Sequence, residues 1–226
     1  MTQKPSGIIF DLDGTLVDSA RDLSSALNHV LRLANRPEMS LSQVRDMVGN
    51  GARALIIKGF SETGPLPEVD ELNAIQNEFL DYYSKNITAK TIIFPGAMKV
   101  IETLAKMDIP LGLCTNKPHN LAEKLMVEIG LADYFSTIVG GDSFDYRKPD
   151  PRHLTSTLAM MKSEHKGAVM VGDSANDIIP AQKIGIPVIC VSFGYSQTPV
   201  SDLNPDIIID HYDDFLNALQ SLSKRF

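Results

Sequence analysis

Six short apolar runs, each bounded by turn residues, constrain this chain most: 7–10, 109–114, 137–139, 168–171, 187–191 and 206–209. They are nearly continuous rather than alternating, which predicts strands buried on both faces, as in a parallel sheet covered by helices. Helical patterns lie between most of them. Val100, Ile101, Leu104 and Ala105 share one face. Leu121, Leu125, Met126 and Ile129 share another, and Gly130 follows as a stop. Strand–helix alternation from about residue 90 onward predicts an α/β fold with a doubly wound, Rossmann-like parallel sheet.

Residues 19–87 break that rhythm and show no convincing strand. Leu23, Ala26, Leu27, Val30, Leu31 and Ala34 recur at helical spacing behind a Ser19/Asp22 capping box. Ser40 with Gln43 repeats the box, and Val69, Leu72, Ile75, Phe79, Leu80 and Tyr83 form a third stripe. We read 1–18 with 88–226 as the α/β core and 19–87 as an inserted helical domain whose stripes form its own interior.

Composition narrows the partners. With 28 acidic against 21 basic residues the formal charge is -7, which opposes nucleic-acid backbones and anionic lipid surfaces. Cys114 and Cys190 lie in apolar runs and suggest no disulfide framework, and the five histidines show no zinc-type spacing with them. The apolar stretch 8–10 is too short for a signal peptide. The uncharged stretch 184–201 is interrupted by Gly185, Pro187, Gly194 and Pro199, so it predicts no membrane span. We expect a cytoplasmic protein, monomeric or homodimeric, acting on a small molecule.

The strand ends carry the chemistry. Asp11-Leu12-Asp13-Gly14-Thr15 leaves the first strand, where open α/β sheets bind ligands. Two carboxylates two residues apart can converge on a hard cation such as Mg²⁺, and Gly14 lets the backbone turn away. Thr115-Asn116-Lys117-Pro118 closes another strand, with a hydroxyl and N–H groups suited to an anion. In Lys148-Pro149-Asp150-Pro151, Asp150 and Pro151 look like the start of a helix, which would make a stiff platform for Lys148. Gly172-Asp173-Ser174-Ala175-Asn176-Asp177 adds two further carboxylates. A surface turn or a solvated lysine explains any one of these alone. It does not explain four polar clusters at successive strand ends.

Together, D-L-D-G-T, Thr115, Lys148 and G-D-S-x-x-D resemble the four signature motifs of the haloacid dehalogenase superfamily, and the helical insert resembles its cap. DLDGTLVDSARDL, VGNGARALI, TNKP, GGDSFDYRKPDP, VGDSANDI and VSFGY extend the likeness over nearly the whole chain, most closely to phosphoglycolate phosphatases. The resemblance implies a Mg²⁺-dependent phosphomonoesterase hydrolysing 2-phosphoglycolate. Asp11 would be the nucleophile that forms an aspartyl-phosphate, and Asp13 the acid and base. Thr115, Asn116 and Lys148 would hold phosphate. Asp11, Asp173 and the backbone carbonyl of Asp13 would bind the metal, and Asp177 would orient Lys148 or a metal-bound water.

Two features stand apart. Val48-Gly49-Asn50-Gly51-Ala52-Arg53-Ala54 fits a dinucleotide fingerprint in form, but a charged helical end precedes it where a strand is required. It reads instead as a helix–helix turn with Gly49 as C-cap. By resemblance it is a specificity loop in which Gly49, Asn50, Gly51 and Arg53 meet the substrate, Arg53 holding a carboxylate. Pro180, three residues after Asp177, predicts a loop through Asn176 and Asp177 with a helix starting near Ile178. Alternatives are another capped phosphatase acting on pyrophosphate or a sugar phosphate, a phosphosugar mutase, a binding-only member of the same fold, or a phospho-accepting signalling domain. The last is typically about half this length and lacks an equivalent of Asp13.

Overall fold

Alternate residues of the first strand leave it in opposite directions, and each direction meets its own layer of helices. In the computed structural model, which describes residues 4–225, β1 (Gly7–Phe10) is buried along its whole length. Ile8 and Phe10 join an apolar layer with Leu104, Leu125 and Phe215, whereas Ile9 joins Leu154, Leu158 and Ile178 on the other side. A strand without a solvent face can be apolar throughout, which is why its sequence does not alternate. The other predicted runs form β4 (Leu111–Cys114), β5 (Thr137–Val139), β6 (Ala168–Gly172), β7 (Val188–Val191) and β8 (Ile207–Ile209). The sheet order is β5-β4-β1-β6-β7-β8, with every pairing parallel.

That order positions the site. The chain moves outward from β1 to β4 and β5, then returns to the other side of β1 at β6, and such a reversal opens a crevice at the carboxyl ends of the strands. On the layer that holds Phe10 lie α5 (Ala97–Lys106), α6 (His119–Glu128) and α9 (Phe215–Ser221). The opposite layer is built by α7 (Pro151–Met161) and α8 (Ala175–Ile184).

Between β1 and β4 the chain forms α1 (Ala20–Leu33), α2 (Leu41–Arg45), α3 (Ala52–Thr63) and α4 (Val69–Lys85). Leu27 and Leu31 of α1, Phe60 of α3, and Phe79 and Tyr83 of α4 are buried together, continuous with the Phe10 layer. The Ser40–Gln43 capping box forms as expected. The Ser19–Asp22 box does not. The Ser19 hydroxyl donates to Asp13 instead. Asp22 accepts the N–H groups of Lys90 and Thr91 and the Thr91 hydroxyl at 2.8–2.9 Å, fastening the returning chain to α1. The Asp22 contacts span 68 and 69 residues, which a local pattern cannot disclose. Two short strands, β2 (Val17–Asp18) and β3 (Ile92–Ile93), pair antiparallel where the chain enters and leaves the helices. Two-residue strands have no period to detect.

The Pro180 expectation is corrected. α8 starts at Ala175 with Ser174 as N-cap, and Pro180 lies inside it. A mid-helix proline costs about 3 kcal/mol or more. The first turn is secured by Asp177, whose Oδ2 accepts the N–H groups of Asp173 at 3.2 Å and Ser174 at 3.1 Å. Among the described residues, no helix is long and apolar enough to cross a membrane.

Candidate active site

Asp11 follows β1 directly and its N–H donates to the Val171 carbonyl of β6, so its place is fixed by the sheet ladder. Its Oδ1 lies 2.8 Å from the Lys148 ammonium, which is 2.6 Å from Asp177 Oδ1. Asp173, after β6, completes the group: oxygens of Asp11, Asp173 and Asp177 lie within 4.8 Å of one another. All three carboxylates and Lys148 are buried. One ammonium therefore faces three carboxylates, and the imbalance shows in their acidity. Burial raises the pKa of Asp11 to about 6, Lys148 pulling it down and Asp177 pushing it up. Burial, then Asp177 and Asp11, holds Asp173 well above the ordinary carboxylate range. For Lys148 burial works against the charge, but Asp11 and Asp177 overcome it and hold the ammonium above the usual lysine value. An oxygen-only, under-neutralised donor set of this kind fits a hard divalent cation.

Asp173 is held by the Tyr195 N–H at 2.6 Å on Oδ2 and by the Thr15 hydroxyl at 3.4 Å on Oδ1. Gly14 turns with φ +87°, and a Cβ there would lie 2.5 Å from Asp173 Oδ2. The approach of Asp173 thus needs glycine at that position, for space as well as for backbone sign.

The platform under Lys148 is built as the sequence predicts, with one partner added. Asp150 caps α7 by accepting the Arg152 N–H at 2.9 Å, and Pro151 is the first helical residue. The Lys148 N–H donates to His153 Nδ1 at 3.2 Å, so the imidazole carries its proton on Nε2, facing the Gly140 carbonyl at 3.1 Å. Burial, then the charge of Lys148, lowers the His153 pKa from 6.5 to about 4. The unfolded chain therefore binds more protons between pH 6.5 and 4, and stability should fall as pH drops through that window. Urea unfolding at several pH values checks this. In His153→Gln the slope over the same window should flatten, and an unchanged slope would assign the loss to other groups.

A family model described as haloacid dehalogenase-like hydrolase matches residues 8–191. The chain belongs to this family. A phosphoglycolate phosphatase of Agrobacterium fabrum is 39% identical over 223 residues, covering 97% of this chain and 95% of its own length. One from Caulobacter vibrioides is 39% identical over 215 residues, covering 95% and 91%. The crystal structure of a predicted phosphoglycolate phosphatase from Haemophilus somnus has a TM-score of 0.91 at 32% identity, covering 96% of this chain and 99% of that chain. The chain is accordingly an enzyme, a haloacid dehalogenase-like hydrolase of the phosphatase type.

Of the residues singled out in the sequence of this hydrolase, Asp11, Thr115, Asn116, Lys148, Asp173 and Asp177 meet at the crevice. The side chain of Asp13 lines the same cavity but stands apart from the three clustered carboxylates. Its carboxylate faces Lys117 at 2.9 and 3.0 Å and the Ser19 hydroxyl, so it stands outside the three-carboxylate group, and only its backbone carbonyl is left to serve a metal. Thr115 Oγ1 accepts the Lys117 N–H at 3.2 Å, while the Thr115 N–H is taken by Val139. The Asn116 amide joins two loops by donating to the carbonyls of Gly49 and Lys148, each at 3.0 Å.

The 48–51 loop does reach the site. Asn176 Nδ2 donates to the Gly49 carbonyl at 3.1 Å and to Asn50 Oδ1 at 3.0 Å. Gly51, at φ +87°, would bring a Cβ to 3.1 Å from the Asn116 carbonyl. Gly49 is not a C-cap: α2 ends at Arg45 with Asp46 as its C-cap, and Gly51 is instead the N-cap of α3. Arg53 is the clear correction. Its guanidinium donates to Asn73 at 3.0 Å and Gln76 at 2.8 Å on α4, and it does not line the cavity beside Asp11. Position 53 lies in the first turn of α3, on a face that packs toward α4. Arg53→Ala should therefore change KM by similar small factors for an acidic substrate and for p-nitrophenyl phosphate. A selective rise for the acidic one would restore the clamp.

Sequence reasoning missed Lys117, Tyr83, Tyr195 and His153. Lys117 and Tyr195 lie within TNKP and VSFGY, which carried the resemblance but no role for either residue. Tyr83 sits on a helical stripe that reads as interior, and only its hydroxyl, 2.7 Å from Lys117 Nζ, makes it part of the site.

Proposed function

We propose that this hydrolase cleaves a small phosphate monoester through an aspartyl-phosphate, with Mg²⁺ and with 2-phosphoglycolate as substrate. The observation that carries the reading is Asp11 itself. It is a buried carboxylate at a topological switch point, paired with one lysine and opening on a cavity of about 500 Å³, mouth included, that also exposes Asp13, Thr115 and Asn116. Asp11 attacks phosphorus and the alkoxide leaves. Asp13, protonated for that step, supplies the proton, then takes one from the water that hydrolyses the intermediate. Lys148 spreads the charge of the nucleophile and the transferring group, and Asp177 fixes its ammonium. Asp11, Asp173 and the Asp13 carbonyl would hold Mg²⁺, which supplies charge neutralisation and in-line orientation of the phosphoryl group. The substrate follows the names of the relatives.

The cavity wall favours a small ester. Leu23, Leu55, Phe79, Leu80 and Leu121 make one side of the cavity apolar, so the polar partners for a ligand are confined to Asp13, Tyr83, Thr115, Asn116 and Lys117 beside Asp11. The same reading takes the enzyme as cytoplasmic, acting without nucleic acid or membrane, as a monomer or homodimer.

Phosphate release from a panel of monoesters and pyrophosphate, with Mg²⁺ and with EDTA, tests it. Turnover should be led by 2-phosphoglycolate and fall at least about 10³-fold in EDTA. A different leading ester would remove the substrate and leave the mechanism, whereas full activity in EDTA would remove the metal.

A further inference from the structure

Resting on that reading of the site, we infer that Lys117 is the residue that recognises the substrate's carboxylate, exchanging the carboxylate of Asp13 for that of the substrate. Lys117 is the one cationic side chain among the described residues lining the cavity. Lys148 is enclosed behind the nucleophile between Asp11 and Asp177, Arg45 is paired with Asp18 at 2.7 Å, and Arg53 is turned to α4. A second anionic group on a ligand therefore meets a single counter-charge. Much of the remaining wall is apolar, with Leu23, Leu55, Phe79, Leu80 and Leu121, and an unpaired carboxylate against it is strongly disfavoured.

The geometry of Lys117 suits an exchange. Its ammonium reaches both oxygens of Asp13 and donates to the Tyr83 hydroxyl at 2.7 Å, with the Tyr83 ring 4.6 Å away. The Tyr83 contact anchors Nζ from the helical insert, while the two directions toward Asp13 face the cavity. Burial, then the charges of Asp13 and Asp22, keeps Tyr83 a neutral phenol that can accept from the ammonium. A substrate carboxylate that takes the place of Asp13 on Nζ keeps the ammonium paired, so the exchange leaves no uncompensated charge on Lys117. Because Asp11 and Asp13 are two residues apart, the carboxylate read at Nζ lies close to the phosphoryl group. That selects a short spacer between the two anionic groups of the substrate.

The test compares kcat/KM for 2-phosphoglycolate with that for ethyl phosphate, which has a similar length and no carboxylate. The parent enzyme should prefer 2-phosphoglycolate by far more than about tenfold, and Lys117→Met should cut that preference at least about 30-fold, mainly through KM. Lys117→Arg should recover part of it. Equal losses on both esters in Lys117→Met would confine Lys117 to Asp13 and overturn the inference. Should Lys117→Met not fold by circular dichroism, the parent enzyme still decides, since a preference below about tenfold leaves no cation reading the carboxylate. Absence of 2-phosphoglycolate turnover in the parent, with other esters cleaved, would instead overturn the substrate proposed above. A parent that prefers 2-phosphoglycolate beside a Lys117→Met that keeps the preference would overturn only the role of Lys117.

Discussion

Replacing Asp11 by asparagine is expected to lower phosphate release by at least about 10⁴-fold, the scale seen when a nucleophile is removed from an otherwise intact site. The fold should survive. Asparagine keeps the shape of the side chain, and Lys148 keeps its 2.6 Å partner Asp177. The variant removes one negative charge from a buried group in which three carboxylates face one ammonium. In EDTA its melting temperature should equal or exceed that of the parent, because burial and Asp177 both act against the ionised form of Asp11. Phosphate release and calorimetry on the same preparation check both halves. Turnover within tenfold of the parent would move the nucleophile to another residue, and a much lower melting temperature would show that Asp11 is held for structure.

Lys148→Met should have the opposite signature, losing activity and stability together. Methionine fills the space but leaves Asp11 and Asp177 without a counter-charge in a buried site. Breaking one partner of a buried ion pair typically costs about 3–5 kcal/mol. At about 2–4 °C per kcal/mol for a chain of this size, melting should fall by about 6–20 °C in EDTA. Addition of Mg²⁺ should recover part of that loss by neutralising the same carboxylates. A shift below about 2 °C would mean that the hydrogen bonds to Asp177 from Asp173 and Ser174 already satisfy the group, leaving Lys148 a purely chemical role.

The two variants separate charge from position. Asp11 sits at the end of a central strand whose ladder fixes it, so its chemistry can be removed with little structural consequence. Lys148 is held by a backbone hydrogen bond to His153 and by the amide of Asn116, yet its side chain is what makes a cluster of acids tolerable. The pH window predicted for His153 reports on the same platform from its far side.

What the sequence by itself determined is whatever depends on neighbours in the chain. Doubly buried strands read as continuous apolar runs, helices as stripes, and the helix start at Asp150 and Pro151 as local capping chemistry, so the α/β architecture and the strand-end acids were legible. Asp11 and Asp173 were legible for the same reason, since each leaves a strand end that the topology must bring to one crevice, and Lys148 because the capping chemistry of Asp150 and Pro151 marks the helix start just after it. What only the tertiary structure decided is where side chains go once elements from distant parts of the chain meet. Arg53 turns to α4 rather than to the substrate, and Ser19 and Asp22 abandon their capping box for partners at Asp13 and Thr91. Pro180 is tolerated inside α8, whose first turn Asp177 secures. Lys117, spaced like any surface lysine, becomes the cation of the cavity because Tyr83 arrives from 34 residues away. Long side chains can reach several partners of similar energy, and only the packed helical insert and sheet select among them.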